Sequence, residues 1–387
     1  VLAALRHPPG GAAALAALSP AEADAIAVAA IVLGLGPLLA WELQRQGVTL
    51  SGRAQAKLQA ARAAALARRH AIALQLDELL AACSAQGFTP LVLKGPHLDA
   101  VVYPERGLRP MNDLDLLFRL DELPAAEQIL LALGYARKEK PAALGAGVVK
   151  HTTSFRRPGP AASTPSPYLS TGADRTVEPH GSLEESWFGL RADVTPGVWE
   201  RSEPAAWTAA PARVLAPGDL ALQLAVHFSF HLIIGHPAMA QLADLRWVAE
   251  RFGPALDWGA LGARAAECRA GAFVYAGFAL AQRLLGAPLP DGALAGLRAA
   301  CPPGLRARCE QLDLEYVLRR TQQPPLSGIP QRIRRGLADR AEAAAWAESP
   351  GEKWRVWRTV LAAGRSDTGR LLLARLRAVR RAAPPAA

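Results

Sequence analysis

The apolar positions follow two periods, and the change between them marks out the chain. From 19 to 46 and from 54 to 84, apolar residues recur with the three-to-four spacing of helices buried on one side. Ser19-Pro20-Ala21-Glu22 opens the first stretch as a capping box with proline at the first helical position. Gly87 stops the second. The run TPLVL (89–93) is short, apolar and bounded by glycine and proline, which predicts a strand. Lys94-Gly95-Pro96 then turns into a short helical stretch reaching Tyr103. A turn-rich loop spans 104–112, and 113–118 predicts a second strand. Asp121 can cap a helix ending near Leu133, with Gly134 as its stop. The apolar pieces 151–155 and 176–180 predict a hairpin extending the sheet, joined by a Pro/Ser/Gly-rich mobile loop over 156–174. Pro179 cannot donate to a ladder, so 176–180 is expected at an edge or a bulge. From 217 onward the pattern is helical again, in the segments 217–234, 239–252, 258–285, 291–300, 304–321 and 335–381.

This order predicts an α+β fold: a small mixed sheet with helices before and after it. The expected organisation is an N-terminal helical region (1–86), an α/β core (87–212) and a C-terminal helical region with a basic tail (213–387). The apolar stretch 26–41 falls short of the roughly 20 residues a membrane span needs, and Gly34, Gly36 and Pro37 interrupt it. With no signal peptide visible, a cytoplasmic protein without a membrane span is expected.

Composition narrows the field. Apolar types at 51% and charged types at 20% exclude wholesale disorder. Four cysteines without a CxxC are too few for a disulfide scaffold and do not suggest a thiolate zinc site. Cys83 is expected in a core. The net charge of +10 is concentrated in 353–381, which holds nine Lys/Arg against one acid, Asp367. Such a segment fits nucleic acid, anionic lipid or an acidic partner, or a solvated helix face. Trp354 and Trp357 are read as core anchors of that helix, which favours the solvated face.

The sharpest chemical signal is Asp113-Leu114-Asp115. On a strand, residues i and i+2 share a face, so the two carboxylates stand together, with Leu114, Leu116 and Leu117 on the other face. Like charges this close raise one another's pKa unless a cation lies between them, and oxygen ligands suit Mg²⁺. Lys94 and Gly95 form a strand-to-helix turn that can take phosphate, and Arg109 could balance charge there. His227 and His231 lie i, i+4 on one helical face. Without HExxH or a third ligand they read as a polar seam or a structural pair rather than a zinc site.

Taken together, the run 91–135 resembles the polymerase-beta-type nucleotidyltransferases. It is most similar to a large, poorly characterised bacterial branch. The shared features are Lys94-Gly95, Tyr103-Pro104, Arg109-Pro110-Met111, Asp113-Leu114-Asp115-Leu116-Leu117 and Gly134-Tyr135. Downstream, Val177-Glu178-Pro179-His180-Gly181, His227…His231, Leu242-Ala243-Asp244-Leu245 and Asp257-Trp258 continue the likeness over roughly 25–290. The resemblance implies a metal-dependent transfer from a nucleoside triphosphate, with Mg²⁺ or Mn²⁺ held by Asp113, Asp115 and Glu178. Glu178 is either a third ligand or the base for the acceptor hydroxyl. Lys94, Gly95 and Arg109 would bind the nucleotide; His180, His227, His231 and Asp244 would face the acceptor. The implied acceptor is a small molecule, a sugar or a peptide, and nucleic acid is not expected. Pro179 and Gly181 depart from the family's aliphatic residue and tryptophan, and the phosphate turn has one glycine and no serine. These departures keep open a degenerate nucleotide- or partner-binding protein of the same fold. A nucleic-acid-binding role for the basic segment is a further alternative.

Overall fold

The computed structural model describes residues 1–8, 11, 13–139, 153–159, 169, 174–236, 239–322 and 328–361. His151, most of the loop expected over 156–174, and the part of the basic segment beyond 361 lie outside the described residues.

The N-terminal helices form as the pattern predicts. Helix α1 (Pro20–Val32) starts at a complete capping box: the Ser19 side chain accepts from the Glu22 N–H, and the Glu22 carboxylate accepts from the Ser19 N–H. The stretch 19–46 is two helices rather than one. Gly34 takes a positive φ, and a second helix, α2 (Gly36–Arg45), follows with Pro37 in its first turn. Helix α3 (Gly52–Ala85) is the longest of the described helices. Cys83, near its end, is buried, and burial pushes its thiol up to about 11.

Among the described residues the sheet is mixed, as expected, with seven strands in the order β3-β4-β5-β2-β1-β9-β8. These strands are β1 (Leu91–Val92), β2 (Leu114–Leu117), β3 (Ala136–Glu139), β4 (Thr153–Arg157), β5 (Arg175–His180), β8 (Glu203–Pro204) and β9 (Arg213–Val214). Between β5 and β8 in sequence, β6 (Glu184–Trp187) and β7 (Leu190–Asp193) form a separate hairpin. Strands β1 and β2 are antiparallel, whereas β2 and β5 run parallel, with Asp115 opposite Glu178 and Leu117 opposite His180.

The hairpin expected from 151–155 and 176–180 exists as β4 and β5, paired antiparallel from Phe155–Val177 to Arg157–Arg175. Its second strand is not an edge, contrary to expectation: β5 lies between β4 and β2. Proline is tolerated there for a local reason. The His180 carbonyl accepts from the Phe118 N–H, so the polar groups of His180 point towards β2. Alternation turns those of Pro179 to the β4 side, where pairing has stopped at Val177.

Alternation also divides the sheet chemically. Leu114, Leu116 and Val177 pack on Leu76, Leu79 and Leu80 of α3 and on Leu130 of α5 (Leu123–Ala132). Leu117, expected on that face, instead joins Leu91 and Leu93 in the larger helical core on the other side. Between β1 and β2 in sequence, the helical turn α4 (Lys94–His97) runs on into a π-helical turn, Leu98–Val102.

The larger core is built mainly by α6 (Pro217–Ile234), α7 (Met239–Phe252), α8 (Trp258–Glu267) and α9 (Gly271–Leu285). The expected helix 258–285 is therefore two, broken where Arg269 takes a φ of +53°. The expected helix 304–321 is likewise two, Pro303–Gln311 and Leu314–Thr321, with the Asp313 side chain capping the second. Within the segment 335–381, helices run over Ile329–Ala345 and Pro350–Leu361. Trp354 and Trp357 are exposed at 59% and 39%, so they do not anchor the last helix; Val356 does. Among the described residues, no helix is long and apolar enough to cross a membrane.

Candidate active site

The polar face of the sheet carries the site. Asp115 is buried in the middle of β2, where an isolated carboxylate would be costly. Two side-chain partners offset that cost. The Lys94 Nζ lies 2.9 Å from one carboxylate oxygen, and the His180 Nε2 lies 2.7 Å from the other. Burial by itself would raise the Asp115 pKa, but Lys94 and the His180 hydrogen bond outweigh it and hold the carboxyl well below its usual range. Lys94 is raised in turn: Asp115 and then Asp113 overcome the effect of its own burial. Its φ of +41° is rare for a residue with a side chain, and the ion pair helps to hold it.

Register brings the remaining groups in. Glu178 faces Asp115 across the β2–β5 ladder, and His180 follows two residues later on the same face. One ligand atom each from Asp115, Glu178 and His180 lies within 4.8 Å of the others. Glu178 is therefore within direct reach of Asp115. His180, read from the sequence as an acceptor-side residue, stands among the carboxylates. Asp113 is outside this tight group and exposed to solvent just before β2. The protein around it, then Asp115 and Glu178, push its carboxyl up to about 6; solvent access softens the first of these effects.

Gly95 has close neighbours. A Cβ there would meet the Met111 Sδ at 3.0 Å and the Arg109 Nη1 at 3.4 Å, so glycine lets the turn pack on the loop preceding Asp113. Arg109 itself is held by Asp244 of α7 through Nε at 2.9 Å and Nη2 at 3.0 Å. Asp244 is fully buried and also accepts from the Tyr103 hydroxyl at 2.7 Å. The structure thus places Asp244 behind the loop as its anchor.

The rings of His227 and His231 lie 4.2 Å apart, centre to centre, tilted by 52°. The His227 Nδ1 lies 2.8 Å from Glu185 of β6, and the His231 Nδ1 lies 3.0 Å from the Gln241 side chain. Burial, then the charge of Lys94, keep His227 well below the usual histidine range, with Glu185 opposing. His227 therefore feels the charge of the lysine that pairs with Asp115.

Two residues near the site were not singled out in the sequence. Glu185 pairs with His227 and adds to the field on Lys94. Arg68 of α3 is close enough to Asp113 for that carboxylate to oppose the lowering of its pKa by burial. Neither stands in a motif. Glu185 is one of two adjacent acids before Trp187, and its partner lies 42 residues away.

Two carboxylates and an imidazole converging beside a lysine suit a divalent cation and a phosphate-bearing substrate. A family model described as "Uncharacterised nucleotidyltransferase" matches residues 19–286. That span contains every group named above. No curated protein and no solved structure matches the chain.

Proposed function

The chain belongs to the uncharacterised nucleotidyltransferase family, and from that premise we propose that it transfers a nucleotidyl or related phosphoryl-linked group from a nucleoside triphosphate to an acceptor. The observation that carries the reading is the convergence of Asp115, Glu178 and His180, with Lys94 on Asp115 and Asp113 alongside. These donors fit a divalent cation, Mg²⁺ or Mn²⁺. Such an ion, when bound, neutralises charge on the transferring phosphate and orients it.

The chain's own residues carry the other roles. Lys94 sits where a phosphate oxygen can share its charge with Asp115, and the Gly95 turn brings backbone close to the same place. Arg109, anchored by Asp244, presents its Nη1 edge beside Gly95. Glu178 fixes the nucleotide-bound cation or takes the acceptor proton. The acceptor oxygen attacks the α-phosphorus, the bond to the β-phosphate oxygen breaks, and pyrophosphate leaves. The half-buried His227, oriented by Glu185, and His231 line the acceptor side, which accommodates a hydroxyl-bearing small molecule, sugar or peptide.

The test is thermal unfolding of the chain with ATP, GTP, CTP and UTP, each with and without Mg²⁺ or Mn²⁺. At least one nucleotide should stabilise the protein only when metal is present. The α-labelled form of that nucleotide should then label an acceptor in a cell extract with the unmodified protein and not with Asp115→Asn. Absence of any metal-dependent nucleotide effect would overturn the reading in favour of a non-catalytic binding protein of the same fold.

A further inference from the structure

The polar face of the sheet contains a nitrogen donor where carboxylates alone would satisfy Mg²⁺. His180 is 1% exposed, and its Nε2 is directed at Asp115 from the same strand face as Glu178. Lys94 already supplies positive charge to Asp115 on its other oxygen, so neutralising that carboxylate does not require an imidazole.

The spacings suit coordination. In an octahedral site with bonds of about 2.1 Å, adjacent ligands stand about 3 Å apart and opposite ligands about 4.2 Å apart. The 2.7 Å between the His180 Nε2 and the Asp115 oxygen is the length of a shared proton, a few tenths of an ångström short of an adjacent-ligand pair. All three ligand atoms lie within 4.8 Å of one another, so no pair exceeds the opposite-ligand distance by more than about 0.6 Å. A cation can therefore replace the proton between Asp115 and His180 with little movement of the strands.

We propose that His180 is a metal ligand together with Asp115 and Glu178, and that the site consequently takes a transition-series divalent cation, Mn²⁺, in preference to Mg²⁺. Mg²⁺ calls for oxygen ligands in near-ideal octahedral geometry, whereas first-row transition ions accept imidazole. The inference rests on the nucleotidyltransferase reading for its expectation of a bound metal. It goes beyond that reading by naming the third ligand type and the preferred ion.

The experiment is pulsed electron paramagnetic resonance of Mn²⁺ added to the full chain, alone and with each of ATP, GTP, CTP and UTP. Directly bound ¹⁴N should appear as an electron–nuclear coupling, and histidine labelled with ¹⁵N should change it to the ¹⁵N pattern. His180→Gln should abolish the coupling and reduce the Mn²⁺-over-Mg²⁺ preference, measured by competition, at least tenfold. Should that variant fail to fold, the labelled wild-type chain still decides. Bound Mn²⁺ with oxygen ligands alone would overturn this proposal and leave the nucleotidyltransferase reading standing. A histidine coupling that persists in folded His180→Gln would also overturn it. Absence of Mn²⁺ binding under every condition would overturn both.

Discussion

Asp244 of α7 grips Arg109 of the loop before β2 with two of its guanidinium nitrogens, Nε at 2.9 Å and Nη2 at 3.0 Å. The helical region and the loop before β2 are thereby joined through a carboxylate with no solvent exposure. Burial by itself would lower the Arg109 pKa, but Asp244 more than reverses this. Asp244→Ala leaves a buried guanidinium and the Tyr103 hydroxyl without that partner, so it should cost about 3–5 kcal/mol. Tyr103→Phe removes one hydrogen bond to a charge and should cost less, about 1.5–3 kcal/mol. Urea unfolding of both variants checks the order. An Asp244→Ala chain as stable as the parent would show that the clamp contributes nothing.

Asp113 and Asp115 should behave oppositely when neutralised. As a repelling pair in the sequence, both would be expected to tolerate Asp→Asn. The structure separates them: Asp115 holds Lys94 and His180, whereas Asp113 is exposed and burdened by like charge. In metal-free buffer, Asp113→Asn should leave stability unchanged or raise it. Asp115→Asn strips the buried Lys94 of its closest anion and should cost about 3 kcal/mol. Chemical denaturation with chelator present measures both, and equal stability of the two variants would contradict the pairing.

His97 gives the fold an acid-sensitive element apart from the carboxylates. It is 3% exposed in α4, its Nδ1 has no hydrogen-bond partner among the described residues, and burial pushes its pKa down to about 4. The folded chain keeps it neutral, while the unfolded chain protonates it below about pH 6.5. Its contribution is therefore complete above pH 6.5 and is lost as the pH falls towards 4, by up to about 3 kcal/mol. His97→Leu removes this loss. Between pH 7 and pH 4.5 the stability difference between variant and parent should move by about 2–3 kcal/mol in the variant's favour. An unchanged difference would mean that the folded protein accepts the proton without penalty.

Much of the site could be read in the sequence because it is local. The Asp-x-Asp spacing, the Lys94-Gly95 turn and the Ser19–Glu22 cap each depend on a few consecutive residues. What was missed depends on register or distance. The place of His180 among the carboxylates follows from β5 pairing parallel to β2 with Glu178 opposite Asp115, which no local pattern specifies. Glu185 acquires its meaning from His227, and Arg109 from Asp244, each across a long stretch of chain. The break at Arg269 was missed because a residue with a side chain, rather than glycine or proline, takes the left-handed conformation there. The proline rule places 176–180 at an edge or a bulge, yet β5 is neither, because the ladder on the nitrogen side of Pro179 ends two residues earlier.

That last feature bears on Glu178, the residue whose role the departures at Pro179 and Gly181 call most into question. A distorted β5 would swing Glu178 away from β2. Instead the β2–β5 register runs unbroken from Leu114–Val177 through Asp115–Glu178 and Leu116–Pro179 to Leu117–His180. The proline is accommodated without a bulge, and the Glu178 carboxylate reaches within 4.8 Å of its Asp115 and His180 counterparts. Transfer to a hydroxyl needs either a proton acceptor or a further oxygen ligand at this place. Glu178→Gln keeps the size and hydrogen-bonding capacity of the side chain but loses its charge and basicity. With Asp113, Asp115 and Lys94 intact, the triphosphate should still bind. Turnover, once an acceptor is in hand, should fall by about 10²–10⁴, the range over which a positioned acid–base group acts. Nucleotide binding by calorimetry and product formation from α-labelled nucleotide should therefore separate in this variant. Unchanged turnover would remove Glu178 from the reaction and leave Asp113 and Asp115 as the acting carboxylates.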